Sequence, residues 1–307
     1  MIPQAIAVLN MKGGVGKTSL VANIAGLVAA AEQGSGSRVL AVDLDTQGSL
    51  GRDLGYYDQD GRDDKGAALF AAATTGILLR PLRDVRPGLD VIPGGPRLED
   101  LAAVVGAQQA RSRASAEQVV SNALAGVAAD YDLVLIDCPP GNRLLIDVAL
   151  SAAHYVLIPT KTDDASLDGL AFVAERFAAV SATSNPDLQL LGVSLFGVGR
   201  GSTRILKRAR EAVAADLGDS DLIFSSSIRH VEAVAQDARR RGQLVHELEV
   251  DALNASTWWE RRKLGPAAAP DDSPSRSAIG LAEDYQKLTA ELLDRLQAAA
   301  PTSAASL

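Results

Sequence analysis

The sequence predicts an α/β fold, a mostly parallel, twisted sheet with helices on both faces. Short apolar runs alternate with stretches of helical spacing, a glycine-rich loop joins the first run to the first helix, and several runs end in aspartate or a proline turn. With 307 residues and 47% apolar content the chain can bury a sizeable core. Aromatics make up only 4%, so Ala, Val, Leu and Ile must build that core, a composition suited to helices packed on a parallel sheet.

The elements follow in order. "AIAVLN" (5–10) reads as the first strand, the glycine-rich loop follows, and "TSLVANIAGLVAAAEQ" has helical spacing and good helix formers. "GSGS" (34–37) turns the chain into "RVLAVDLD", a second buried strand ending in two aspartates. Residues 52–88 are polar and irregular apart from an alanine-rich helical piece near 66–76, and "LDVIPGG" is another short strand reaching a turn. The helical stretch "SAEQVVSNALAGVAAD" leads into the strand of "YDLVLIDCPPG", and "AHYVLIPT", "LQLLGVSLFGV" and "DLIFS" supply the remaining strands. Helices between parallel strands imply right-handed crossovers. The whole chain, 1–307, reads as a single domain with a loop insertion at 251–280, rich in Pro, Ala, Ser and charge and carrying Trp258 and Trp259. A C-terminal helix at 281–299 follows, with Leu281, Tyr285, Leu288, Leu292 and Leu296 on one face that packs on the core.

Composition excludes several classes. Cys138 is the only cysteine, so no internal disulfide and no zinc or iron–sulfur site can come from this chain's cysteines. His154, His230 and His246 are scattered without metal-ligand spacing. No apolar run approaches the ~18 residues that cross a bilayer, and the opening residues lack signal-peptide character, so a cytoplasmic protein is expected. The formal charge of −8 opposes general affinity for nucleic acid and requires any DNA contact to be a local patch.

"NMKGGVGKTSL" (10–20) carries the chemistry. Gly13, Gly14, Val15 and Gly16 form a loop whose backbone N–H groups can face phosphates, and the helix that follows adds its N-terminal partial charge. Lys17 is placed to bridge β- and γ-phosphates, with Ser19 behind it and the Thr18 hydroxyl placed for Mg²⁺. The usual phosphate-loop pattern has glycine at position 11, where this chain has Met11, and an extra lysine, Lys12, follows at once. Asp137, ending "LVLID", is placed to hold the metal's water shell. Asp43 and Asp45 share one side of an extended chain. Asp43 is expected to buttress the metal and Asp45 to orient an attacking water.

These motifs, with "HYVLIPTKTDDASLDGL" and "SSIRHVEAVAQDARRRGQLVHELE", resemble the ParA/MinD group of P-loop ATPases with a deviant Walker A motif, and its ParA branch in particular. The resemblance spans roughly residues 4–249 and resumes in the last helix. It implies a P-loop NTPase fold, slow ATP hydrolysis, and a nucleotide-sandwich homodimer in which Lys12 reaches the phosphates bound by the partner subunit, as an arginine finger does. It also implies that Lys12, Lys17 and Asp45 act in hydrolysis, that Thr18 and Asp137 organise Mg²⁺, and that a ParB-like centromere-binding or cargo-adaptor protein stimulates turnover. Thr46 departs from the proline that many ParA-like sequences carry there.

ParA-like proteins bind non-specific DNA through basic residues of the C-terminal half, which implies a nucleoid-associated protein. Between Arg200 and Arg241 there are nine Lys or Arg against six Asp or Glu. They fall into Arg200, Arg204, Lys207, Arg208 and Arg210, then Arg229, Arg239, Arg240 and Arg241, with Arg204, Lys207 and Arg208 sharing a helix face. Alternatives are an ATPase that positions a protein body, a MinD-like membrane ATPase, and an amide-forming ligase of the same fold. An acidic final helix, with Glu283, Asp284, Glu291 and Asp294 against Lys287 and Arg295, opposes the membrane alternative.

Overall fold

The structure is a computed structural model describing residues 1–110, 116–198, 203–255 and 274–299. In chain order its elements are β1 (Ile2–Val8), α1 (Lys17–Ala31), β2 (Val39–Asp43), α2 (Ser49–Asp53), α3 (Ala67–Thr75), β3 (Leu82–Arg86), β4 (Leu89–Ile92) and α4 (Arg97–Gln109). There follow α5 (Val119–Ala128), β5 (Leu133–Asp137), α6 (Arg143–Ala152), β6 (Ala153–Thr160), α7 (Asp164–Ser181), β7 (Gln189–Phe196), α8 (Thr203–Leu217) and β8 (Ile223–Ile228). Three helices close the chain: α9 (Glu232–Arg241), α10 (Val245–Asn254) and α11 (Ser277–Ala299).

Eight strands form one sheet in the order β3-β4-β2-β5-β1-β6-β7-β8, parallel throughout except for the β3–β4 pair. The pleat sends alternate residues to opposite faces, and both faces are covered. Ala5, Leu40, Val42, Val134 and Ile136 meet the layer that contains α3 to α8. Ile6, Val39, Ala41, Leu133 and Leu135 meet the layer of α1, α2, α9, α10 and α11. This double burial explains why the central strands read as continuous apolar runs.

The sequence reading did not give α2, β3 or α4. β3 is an edge strand, "LRDVR", in which Val85 alone is buried, so its charged residues hid it. α4 buries Leu98, Leu101, Ala102 and Val105, whose helical spacing is present in the sequence. The expected insertion at 251–280 begins inside α10 and ends inside α11, and Trp258 and Trp259 lie outside the described residues.

The final helix packs through the expected stripe, with Leu281, Tyr285, Leu288 and Leu292 buried. Its charged face is equally occupied. Glu291 accepts the backbone N–H groups of Ser225 and Ser226 (2.8 and 2.9 Å), and Arg295 donates to the carbonyls of Leu191, Asp221, Leu222 and Ile223. Asp284 takes the Arg229 guanidinium in a bidentate pair at 2.6 Å. Side chains of α11 thus satisfy the open edge of β8, where another strand would otherwise pair. Glu291→Ala should therefore lower stability by about 1 kcal/mol, measured by denaturant unfolding. An unchanged midpoint would show that water serves this edge equally well.

Candidate active site

The strand order assembles the site. β5 lies between β2 and β1, with Asp137 in register with Asp43 on one side and Val8 on the other. Two carboxylate-bearing strand ends therefore adjoin the loop leaving β1, at the carboxyl edge of the sheet where open α/β proteins bind ligands.

Asn10, which the sequence reading did not single out, fixes that loop. It is fully buried; its Nδ2 donates to the Pro159 carbonyl (2.9 Å) and its Oδ1 accepts the Lys12 N–H (3.0 Å). No atom stands within 4 Å of where a side chain would begin at Gly13 or Gly14, so the cradle is open at its floor. Lys17 is buried and its Nζ donates to the Lys12 carbonyl at 2.9 Å. Burial lowers its pKa, and the neighbouring Asp137 and Asp45 carboxylates counter that shift.

Asp137 is fully buried, and neither carboxylate oxygen makes a hydrogen bond of normal geometry. Burial pushes its pKa up to about 7, the neighbouring Asp45 adding to the rise and the Thr18 hydroxyl and Lys17 opposing it. A buried carboxylate with spare lone pairs, beside a hydroxyl and an ammonium group, fits a hard divalent cation shared with phosphate oxygens. Among the described residues no group of three or more His, Cys, Asp or Glu side chains forms a metal site.

Asp43 has a different occupation. It is fully buried and accepts the backbone N–H groups of Asp45 (2.8 Å) and Leu50 (3.2 Å), so it shapes the loop it precedes. Burial and the Asp137 charge hold its pKa well above the usual carboxylate range. Asp45 is 8% exposed at the head of that loop and accepts the Gln47 N–H at 2.9 Å. Lys12 lies at the rim, one-third exposed, in an ion pair with Asp163 at 2.5 Å.

Beside the glycine loop lies a cavity of about 310 Å³, walled by Gly16, Ser19, Asp53, Phe196, Arg239 and Tyr285 among others. Its walls come from at least six separate parts of the chain. Asp53 and Phe196 carry no motif, and nothing in the linear sequence brings them to the loop.

The basic residues separate. Arg200 and the side chain of Arg204 lie outside the described residues. Lys207, Arg208 and Arg210 are exposed on α8, whose buried Ala209 and Val213 face one side of the sheet. Arg239 and Arg240 are on α9, which packs on the other side through Val234. Arg229 is committed to Asp284, Arg239 to Asp53 (3.3 Å) and Arg240 to Asp237 (3.0 Å). The two basic groups are thus divided by the sheet, and in the second each of these three guanidinium groups already has a carboxylate partner.

A parallel sheet with a glycine loop at the end of β1, Lys17 and Thr18 opening α1, and a buried aspartate at the end of the adjacent strand defines a P-loop nucleotide-binding protein. The AAA domain family matches residues 3–190. A chromosome partitioning protein ParA of Caulobacter vibrioides is 30% identical over 236 residues, covering 75% of this chain and 83% of that one. The chain belongs to this AAA-domain family and, within it, to the ParA/Soj P-loop ATPases. The ParA of Myxococcus xanthus is 36% identical over 194 residues, 63% of this chain and 65% of that relative, so this match spans just under two thirds of its length. Among solved structures, a cobyrinic acid a,c-diamide synthase from Mycobacterium smegmatis with bound ADP and magnesium aligns with a TM-score of 0.59 at 28% identity, covering 89% of this chain and all of that one (100%). The pNOB8 ParA bound to nonspecific DNA aligns with a TM-score of 0.59 at 21% identity, over 97% of this chain and 100% of that one. Among the described residues no helix is long and apolar enough to cross a membrane.

Proposed function

We propose that this chain is a DNA-partition ATPase whose nucleotide state controls dimerisation and loose binding to the nucleoid. The observation that carries it is the buried Asp137 carboxylate, its oxygens without a hydrogen bond of normal geometry beside Lys17 and Thr18. Those groups would hold MgATP: the loop N–H groups and Lys17 bind phosphate, and Thr18 and Asp137 bind the metal or its water shell. The bound metal supplies charge neutralisation at the transferring phosphoryl group. Asp43 sets the loop that carries Asp45, and Asp45 orients the attacking water. Lys12, on the exposed rim, extends to the partner subunit's phosphates and ties dimer formation to ATP.

For DNA we favour α8. Lys207, Arg208 and Arg210 are exposed there, and dimerisation doubles the patch. With about three phosphates neutralised per subunit, affinity should fall roughly 10³-fold between about 50 and 200 mM salt. A ParB-like or cargo-adaptor protein would stimulate hydrolysis and release the dimer, and the adaptor, not this chain, would choose the cargo. The relatives named as chromosome partitioning proteins support this reading, as does a protein of the same fold solved on nonspecific DNA.

The test is binding to nonspecific duplex DNA with ATP, ADP or no nucleotide, for the wild type, Asp45→Ala and Arg204→Glu/Lys207→Glu. Wild-type binding should need ATP. Asp45→Ala should keep ATP, lose hydrolysis by about 100-fold and accumulate on DNA, and the double variant should release it. Normal hydrolysis by Asp45→Ala would overturn the assignment of Asp45, and binding that ignores nucleotide would overturn the switch.

A further inference from the structure

Asp53 ends α2, the short helix after the Asp45 loop, and its carboxylate is only 7% exposed. One oxygen accepts the Ser19 hydroxyl at 3.1 Å; the other accepts Arg239 Nε at 3.3 Å. Ser19 stands in the first turn of α1, directly after Thr18, and Arg239 in the last turn of α9. All three residues line the cavity beside the glycine loop. One carboxylate therefore joins the nucleotide-binding helix, the helix after Asp45 and the basic end of α9.

The opposite end of the same segment is also tied to a buried carboxylate. Asp43 receives the N–H groups of Asp45 and Leu50, so residues 45–53 hang between Asp43 and Asp53. Just beyond, Gly55 and Gly242 approach so closely that a side-chain carbon on Gly242 would collide with the Gly55 backbone. The chain just past α2 and the chain just past α9 thus meet backbone to backbone, without any intervening side chain. Burial raises the Asp53 pKa, while Arg239 and Ser19 stabilise its charge. Arg239 is thus the counter-charge of a buried carboxylate, which argues against its use as a DNA contact.

We propose that Asp53 and Arg239 form a positioning pair for ATP hydrolysis, holding α2, and through it the Asp45 loop, against the first turn of α1. The pair touches neither the reacting phosphate nor the attacking water; it acts through the placement of Asp45. Its role presupposes Asp45 as the hydrolysis residue. Because both side chains line the cavity next to the loop, an occupant of the cavity meets the same pair that sets α2. Cavity occupancy and the Asp45 position are then linked through two side chains.

The experiment compares Asp53→Asn, Arg239→Gln, Arg239→Lys and the Asp53→Asn/Arg239→Gln double variant of the full chain. It measures kcat and KM for MgATP and amide hydrogen exchange across residues 44–54. Each of Asp53→Asn and Arg239→Gln should lower kcat about tenfold with KM within about threefold, and the double variant should be no slower than either alone. Arg239→Lys, which keeps the charge, should recover part of the loss, and exchange should quicken in 44–54 while α1 and the central strands stay protected. Independent, additive losses would overturn the proposal, as would a raised KM with kcat kept. If Asp53→Asn fails to fold, the half-exposed Arg239 variants still decide, since unchanged kcat in Arg239→Gln overturns the pair. An Asp45→Ala variant with normal turnover would remove the hydrolysis role, whereas non-additive changes in exchange would still report the physical linkage. The two failures are therefore separable.

Discussion

Lys17→Ala should weaken ATP binding by at least about 30-fold, because a desolvated ammonium group that bonds phosphate typically contributes about 2–5 kcal/mol. The loss should be one of function and not of folding. Lys17 is one of the groups that lower the Asp137 pKa, which already stands at about 7. Without Lys17 that pKa rises further, and Asp137 takes up a proton instead of remaining as a buried, unopposed anion. Calorimetric titration with MgATP and a thermal melt of the same sample separate the two effects. Binding within about threefold of the wild type would remove Lys17 from the phosphate site, and a collapsed melting temperature would make it a structural residue.

Gly94→Ala should disturb the proposed hydrolysis site from a position with no chemistry of its own. Gly94 follows β4, and a side-chain carbon there would stand 2.5 Å from the Asp43 carboxyl carbon and 2.8 Å from the Asp45 carbonyl oxygen. Asp43 cannot retreat without breaking its bonds to Asp45 and Leu50. Overpacking of this kind costs about 1–3 kcal/mol, and here the displaced atoms are those that set Asp45. Hydrolysis should fall by about tenfold or more while ATP binding, which depends on the loop after β1, changes little. Denaturant unfolding and steady-state kinetics check both parts. Unchanged stability together with unchanged turnover would mean that the β4 end yields freely and that Asp43 is not confined by it.

The nucleotide motifs were legible because each is local. Gly13 to Thr18 form one continuous segment between a strand and a helix, and Asp43 and Asp137 each end an apolar run, so their positions relative to the sheet followed from the run itself. The parallel character of the sheet was equally local, since helix-length segments between strands force crossovers. β3 was hidden because an edge strand with one buried residue lacks the apolar signature of a buried one.

The basic residues mark the limit of sequence reading. Counting charge along 200–241 gives two basic groups but not where they lie; the chain crosses the sheet edge at β8, which puts α8 and α9 on opposite faces. The count also could not distinguish Lys207, exposed on α8, from Arg229, whose guanidinium is held by Asp284 fifty-five residues away. Asp53 and Arg239, 186 residues apart, meet only because α2 and α9 pack on the same face. The sequence by itself determined the class of fold, the phosphate loop and the strand-end carboxylates, because backbone geometry and short-range pattern encode them. The tertiary structure alone decided which arginines are spent on internal carboxylates, how the terminal helix seals the β8 edge, and what walls the cavity, because ion pairing and packing are made between segments that only the completed sheet brings together.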